Sequence, residues 1–220
     1  RPKTERDRQS IAGGRDIAVQ AATRGWAALA IEQRGFGERA EKGVACRDAS
    51  LRALHCGRPM TGARVFDVMR AIDFIESRPE LDRQRVGCIG NSTGGTVTFY
   101  AACVDRRIRL AVVSCSFCPF ASSWLASPPR CACGYLPGIY AVADMPDLTG
   151  LIAPRHLLVV AASEDALAPE EGVRTGFDTA LATFKASGAP DHAHLVVGDG
   201  GHRFYPELAW PVIQAVLKSW

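Results

Sequence analysis

Apolar and polar positions along this chain switch between two periods. Continuous apolar runs occur at residues 25–33 ("GWAALAIEQ"), 85–91 ("RVGCIGN"), 108–116 ("IRLAVVSCS"), 155–163 ("RHLLVVAAS") and 192–201 ("HAHLVVGDGG"). Runs of this length, bounded by Gly, Asp or Arg, predict buried strands. Between them the period lengthens to that of a helix. In residues 62–77, Val65, Val68, Met69, Ile72 and Ile75 share a face. In residues 169–188, Val173, Phe177, Leu181 and Phe184 do so, with Pro169 opening the first turn and Gly188 closing the last. Residues 206–220 predict a final helix that Pro211 kinks or restarts. Strands apolar on both faces, alternating with amphipathic helices, predict an α/β fold: a mostly parallel sheet with helices on both faces.

Residues 117–154 break the alternation. They hold Pro119, Pro128, Pro129, Pro137, Pro146 and Pro154, with Trp124, Tyr135 and Tyr140. A proline-rich stretch this long between two strands predicts a cap-like insertion in an otherwise single domain spanning residues 1–220. Ahead of the first apolar run stands one helical stretch, residues 10–24, behind a charged leader "RPKTERDRQS". That leader resembles neither a signal nor a transit peptide.

Composition changes this picture little. The 220 residues are 47% hydrophobic and 22% charged, and 26 basic against 23 acidic side chains leave a net charge of +3. No basic face or reading motif points to nucleic acid. No apolar run approaches the roughly 18–20 residues that span a bilayer; the compartment stays open, with cysteine usage leaning to the cytoplasm. Oligomeric state is not legible. The eight cysteines carry more chemistry. Cys88 and Cys103 fall on apolar faces and read as packing thiols. Cys46 and Cys56, in a polar stretch, are a candidate pair. Cys115, Cys118, Cys131 and Cys133 have some of the character of a thiolate zinc site. Their spacing is looser than a zinc knuckle, so reduced thiols are the preferred reading and no metal is assigned.

The densest chemistry lies at "GNSTGG", residues 90–95. A serine framed by glycines, directly after a strand and directly before a helix, predicts the sharp turn that lifts a nucleophile clear of a sheet edge. Gly90 and Gly94 would let the strand and helix pack closely, and the Thr93 N–H would serve as an oxyanion donor beside the helix N-terminus. A general base and an orienting acid are then required after later strands. His202, in "GDGGHRF", follows the last strand, with Gly200 and Gly201 freeing its loop. His156, His192 and His194 fall in strands, and His55 in a polar loop upstream. For the acid, "SEDALAP" offers Asp165, with Glu164 as the alternate. The chain order Ser92, Asp165, His202 differs from that of other serine-triad folds.

With "EQRGFGER", "GNSTGG", "SEDALAP" and "GDGGHRF", the chain resembles the α/β-hydrolases of the dienelactone-hydrolase and acetyl-xylan-esterase-like branch, with Ser92 in place of the cysteine of dienelactone hydrolases proper. The resemblance implies hydrolysis of a small-molecule carboxylic ester, without a cofactor, through an acyl-enzyme. It reads Arg34 to Gly37 as a structural corner. It also implies earlier strands and a second oxyanion donor; the Gly13-Gly14 pair is not that donor. The expectation is therefore a longer natural protein, with this chain alone unstable or nearly inactive. The rival readings are a prolyl-oligopeptidase-type peptidase domain and an inactive binding module of the same fold.

Overall fold

The computed structural model describes residues 14, 16–126 and 130–220. The leader, Gly13, Pro128 and Pro129 lie outside the described residues. The elements in order are α1 (Ile17–Ala22), α2 (Cys46–His55), α3 (Met60–Glu76), β1 (Val86–Asn91), α4 (Thr93–Val104), β2 (Ile108–Ser114), β3 (His156–Ala162), α5 (Glu170–Ala186), β4 (Ala193–Gly198) and α6 (Pro206–Lys218). The four strands form one sheet in the order β1-β2-β3-β4. Every pairing is parallel. Each crossover must therefore carry the chain back along the sheet, which is the task of α4, the long segment after β2, and α5.

The strands feed two cores because successive side chains point to opposite faces. Ala111 and Val113 of β2, with Leu157 and Val159 of β3, pack against Val68 and Ile72 of α3, Phe99 of α4, and Phe177 and Phe184 of α5. Leu110, Val112, Leu158 and Val160 face the other way, onto Trp210, Ile213 and Val216 of α6. Both faces are covered, as the runs of apolar residues require. Pro211 sits inside α6 without ending it.

Three expectations are corrected. Residues 26–33 form no strand: among the described residues they enter no sheet ladder, and Leu29 and Ile31 are exposed. An apolar groove of about 1280 Å³ separates this segment from Val86–Ile89 of β1. A strand's apolar pattern holds it in a sheet only when a neighbour takes its backbone donors, and here none does. His55 is not in a loop but closes α2, which Cys46 opens. Leu181 lies on the exposed side of α5. The segment from 117 to 154 is only partly a surface feature. Phe117, Cys118, Phe120, Met145 and Ile152 are buried in the core beneath α4 and α5.

Three arginines brace the frame. Arg34 grips Asp67 of α3 with Nε and Nη2, both at 2.8 Å, and Arg39 adds a third bond at 2.8 Å. The hydrogen bond to Arg34 outweighs burial and holds the Asp67 carboxyl below its ordinary range. Arg155, just before β3, donates to the carbonyls of Ala102, Asp105, Ile108, Leu151 and Ile152. It thereby closes the C-terminal end of α4, where helix carbonyls lose their partners. Among the described residues, no helix is long and apolar enough to cross a membrane.

Candidate active site

Ser92 occupies the single-residue junction of β1 and α4, with φ 57° and ψ −123°. Left-handed backbone at a residue bearing a side chain costs about 1–3 kcal/mol, so the surrounding contacts must impose it. They do. Ser92 N–H donates to Ser114 O at 2.8 Å, and Thr96 N–H returns to Ser92 O at 3.0 Å. A Cβ on Gly90 would stand 2.9 Å from Gly94 Cα and closer still to the Gly94 carbonyl. A Cβ on Gly95 would stand 2.7 Å from Ser114 O. On Gly94 the nearest atom would be Gln33 Nε2 at 3.6 Å, an ordinary contact. The close approach thus requires glycine at 90 and 95, where the sequence pointed to 90 and 94.

Thr93, the first residue of α4, has no intrahelical acceptor for its N–H. That donor and the positive end of the helix lie beside Ser92.

Asp165 and His202 come from the loops after β3 and β4. Their register is set by backbone bonds between the two loops: Ser163 N–H to Gly198 O at 2.9 Å and Glu164 N–H to Gly200 O at 2.8 Å. Gly200 N–H donates to Ser163 Oγ at 3.0 Å, and Tyr205 Oη donates to Gly201 O at 2.8 Å. The glycine loop expected to swing is therefore tied on both sides. His202 Nδ1 and Asp165 Oδ2 are 2.8 Å apart, with the Asp165 side chain 1% exposed. Glu164, the alternate acid, is exposed.

Burial pushes the Asp165 carboxyl up. The hydrogen bonds from His202 and from the N–H groups of Leu167 and Ala168 outweigh it, and its pKa is lowered overall. An ionised carboxylate can only accept, so Nδ1 carries the proton and Nε2 presents a lone pair. Nε2 is buried and bonded to nothing, so no hydrogen bond joins it to Ser92. In unliganded sites such contacts are commonly long and tighten on binding.

A cavity of about 340 Å³ lies beside Ser92, walled by Thr93, Thr96, Cys115, Trp124, Arg130 and Leu167. The apolar wall comes from the segment after β2. The Arg130 guanidinium stacks 4.7 Å from the Trp124 ring centroid, and burial pulls its pKa below the ordinary value. Cys115, just past β2, has φ 50°. Its Sγ donates to Arg203 O at 3.1 Å. Burial and the nearby Asp165 push this thiol up to about 11.

Sequence reasoning missed Trp124 and Arg130 as wall residues. Their only signal was membership of the proline-rich stretch. It also missed Gln33, whose Oε1 is buried without a partner near Gly94. The remaining histidines lie elsewhere. His156 and His192 stack with ring centroids 3.9 Å apart. Among the described residues, Cys115, Cys118, Cys131 and Cys133 do not gather into one site: Cys115 groups with Asp165 and His202, and Cys131 and Cys133 with Cys46. Cys46 and Cys56 stand at opposite ends of α2, and both are free thiols.

Comparison with known proteins adds the following. A family model described as acetyl xylan esterase (AXE1) matches residues 18–125. A putative hydrolase, YtaP, of Bacillus subtilis (strain 168) is 30% identical over 181 residues, covering 81% of this chain and 60% of the relative. A carbohydrate esterase, MZ0003, from an unknown prokaryotic organism is 25% identical over 176 residues, covering 71% of this chain and 37% of the relative. The chain thus spans between about a third and three fifths of the length of these curated relatives. A solved putative acetyl xylan esterase from Bacteroides fragilis NCTC 9343 superposes with a TM-score of 0.74 at 15% identity, covering 91% of this chain and 62% of that one. A glucuronoyl esterase from Teredinibacter turnerae T7901 superposes with a TM-score of 0.66 at 15% identity, covering 98% of this chain and 60% of that one. At such identities the two superpositions speak for the fold alone.

Proposed function

We propose that this chain, whose residues 18–125 match a family model described as acetyl xylan esterase, is an α/β-hydrolase of that branch and forms part of a serine esterase that cleaves small acyl esters borne on carbohydrate. The observation that supports the reading is the position of three groups directly after parallel strands. Ser92 follows β1 in the strained turn, and Asp165 and His202 follow β3 and β4, hydrogen-bonded at 2.8 Å.

In the first step His202 Nε2 takes the Ser92 hydroxyl proton as Oγ attacks the ester carbonyl. The Thr93 N–H receives the developing oxyanion, and Asp165 holds the Nδ1–H tautomer and offsets the imidazolium charge. His202 then passes its proton to the departing alcohol. In the second step it activates water, which releases the acid and frees Ser92. The strained backbone of Ser92 supports this role, since such strain collects where a side chain must be held for reaction. The cavity of about 340 Å³, at the small end of ligand pockets, favours a short acyl group, with Trp124 and Leu167 against it. The carbohydrate part of the reading comes from the names of the relatives. The wall built by residues between 117 and 154 acts as a cap over the acyl site.

The test is labelling of the intact protein with a fluorophosphonate, with the adduct located by mass spectrometry, alongside acetate release from acetylated xylo-oligosaccharides. The expected adduct is on Ser92 and absent in Ser92→Ala. Acetate release that survives Ser92→Ala, or an adduct on another serine, would refute the assignment.

A further inference from the structure

Three thiols lie together apart from Ser92, Asp165 and His202, and two of them, Cys131 and Cys133, line the cavity beside Ser92. Cys46 opens α2, and Cys131 and Cys133 flank the first residue of the short 3-10 turn Ala132–Gly134. The three sulfurs are all within 4.8 Å of one another, and Cys46 Sγ stands 3.9 Å from Cys131 Sγ. A disulfide needs about 2.05 Å between sulfurs. Two thiolates on one tetrahedral zinc, each bonded at about 2.3 Å, stand about 3.8 Å apart. The Cys46–Cys131 spacing matches the edge of a tetrahedral metal site.

Charge points the same way. Arg64 of α3 is 1% exposed. Its Nε and Nη2 both donate to Arg34 O, Nη2 also reaches Cys46 Sγ at 3.2 Å, and Nη1 is buried with no partner. Among the described residues, no carboxylate lies within ion-pairing distance of this guanidinium. A buried cation left without a counter-charge is costly. Three thiolates on a divalent cation carry a net charge of −1, which offsets Arg64. The cluster is also held in place. Ser50 Oγ donates to Cys46 O at 2.6 Å, and Thr61 Oγ1 donates to Cys133 O at 2.7 Å. Cys133 is buried while Cys131 is exposed, which leaves an entry path.

We propose that Cys46, Cys131 and Cys133 bind one soft divalent cation of the zinc type as three thiolates, with water in the fourth position. Binding forms three metal–sulfur bonds and releases three protons to solvent; no electron is transferred. The cation ties the wall segment between β2 and β3 to α2 and so fixes the part of the acyl cavity that Cys131 and Cys133 line.

The experiment takes the intact protein, purified under a thiol reductant and stripped with a chelator, and titrates it with Co²⁺. The expected result is one equivalent bound, with a thiolate-to-cobalt charge-transfer band and the intense visible bands of tetrahedral cobalt, lost on displacement by Zn²⁺. Differential alkylation read by mass spectrometry should show Zn²⁺ protecting Cys46, Cys131 and Cys133 but not the exposed Cys56. That measurement needs no variant to fold. Cys46→Ser and Cys131→Ser should lose the band, and His202→Ala should keep it. Overturning results are equal alkylation with and without Zn²⁺, a six-coordinate cobalt spectrum without charge transfer, or a cation that leaves with His202→Ala. The last would place the metal on Cys115, Asp165 and His202 instead.

Discussion

Alanine at position 90 tests the elbow most directly. The Cβ it adds would meet backbone on the far side, the Cα and carbonyl of Gly94, not the tip of a side chain that can turn away. Relief requires β1 and α4 to part, yet both are fastened to β2. Ser92 N–H is held by Ser114 O at 2.8 Å, and β1 pairs with β2 from Val86 to Asn91. Overpacking of a core costs about 1–3 kcal/mol where neighbours can shift, so a backbone-on-backbone clash belongs at about 3 kcal/mol or above. In a domain of this size that lowers Tm by about 6–12 °C. Gly95→Ala, with Ser114 O at 2.7 Å and Ser116 Oγ at 3.0 Å, should follow closely. Gly94→Ala meets nothing nearer than 3.6 Å, and it gains up to about 1 kcal/mol of helix propensity. The assay is denaturant unfolding of the three variants beside fluorophosphonate labelling rate. The expected order of damage is 90, then 95, with 94 near wild type. A Gly90→Ala protein as stable as wild type, or a Gly94→Ala protein worse than both others, would refute the reasoning.

Four further outcomes follow from the same contacts. Ser92→Gly should raise stability by about 1–2 kcal/mol by releasing the positive-φ strain, while abolishing labelling; a loss of stability in denaturant melts would contradict the strain argument. Asp165→Asn should leave the fold intact by circular dichroism but cut the labelling rate by about 10³–10⁴-fold, because the amide no longer fixes the His202 tautomer; an unchanged rate would remove Asp165 from the site. Arg155→Met should cost about 3 kcal/mol by leaving carbonyls at the end of α4 unpaired, read as a shift in urea midpoint, whereas Arg83→Met in the exposed turn before β1 should cost little. Burial, with His192 beside it, pushes His156 down to about 4, so below pH 6.5 the unfolded chain takes this proton first and stability falls as pH drops from 6.5 toward 4. His156→Phe should flatten that slope between pH 7 and 5 in thermal melts; an unchanged slope would assign it to other groups.

The helix periods, four of the five strand runs and the abrupt glycine-framed turn were legible in the residues, because each depends on near neighbours in sequence. An apolar run long enough for a strand, a proline at a helix start and a serine between glycines carry their meaning within about ten residues. Sequence also narrowed the acid to two adjacent carboxylates, but it took tertiary structure to bury Asp165 against His202 and leave Glu164 exposed. Burial depends on how two loops from different strands interlock, through Ser163, Gly198 and Gly200. The same holds for residues 26–33, which have a strand's pattern without a strand's partner. A ladder needs a neighbour, and the pattern cannot supply one. Cys46 and Cys131 are 85 positions apart in the chain and 3.9 Å apart in space. No local rule pairs them, since only the packing of α2 and α3 against the segment after β2 sets that distance. What the sequence determined here is local conformation and the kinds of chemistry available; the tertiary structure decided which of those groups meet.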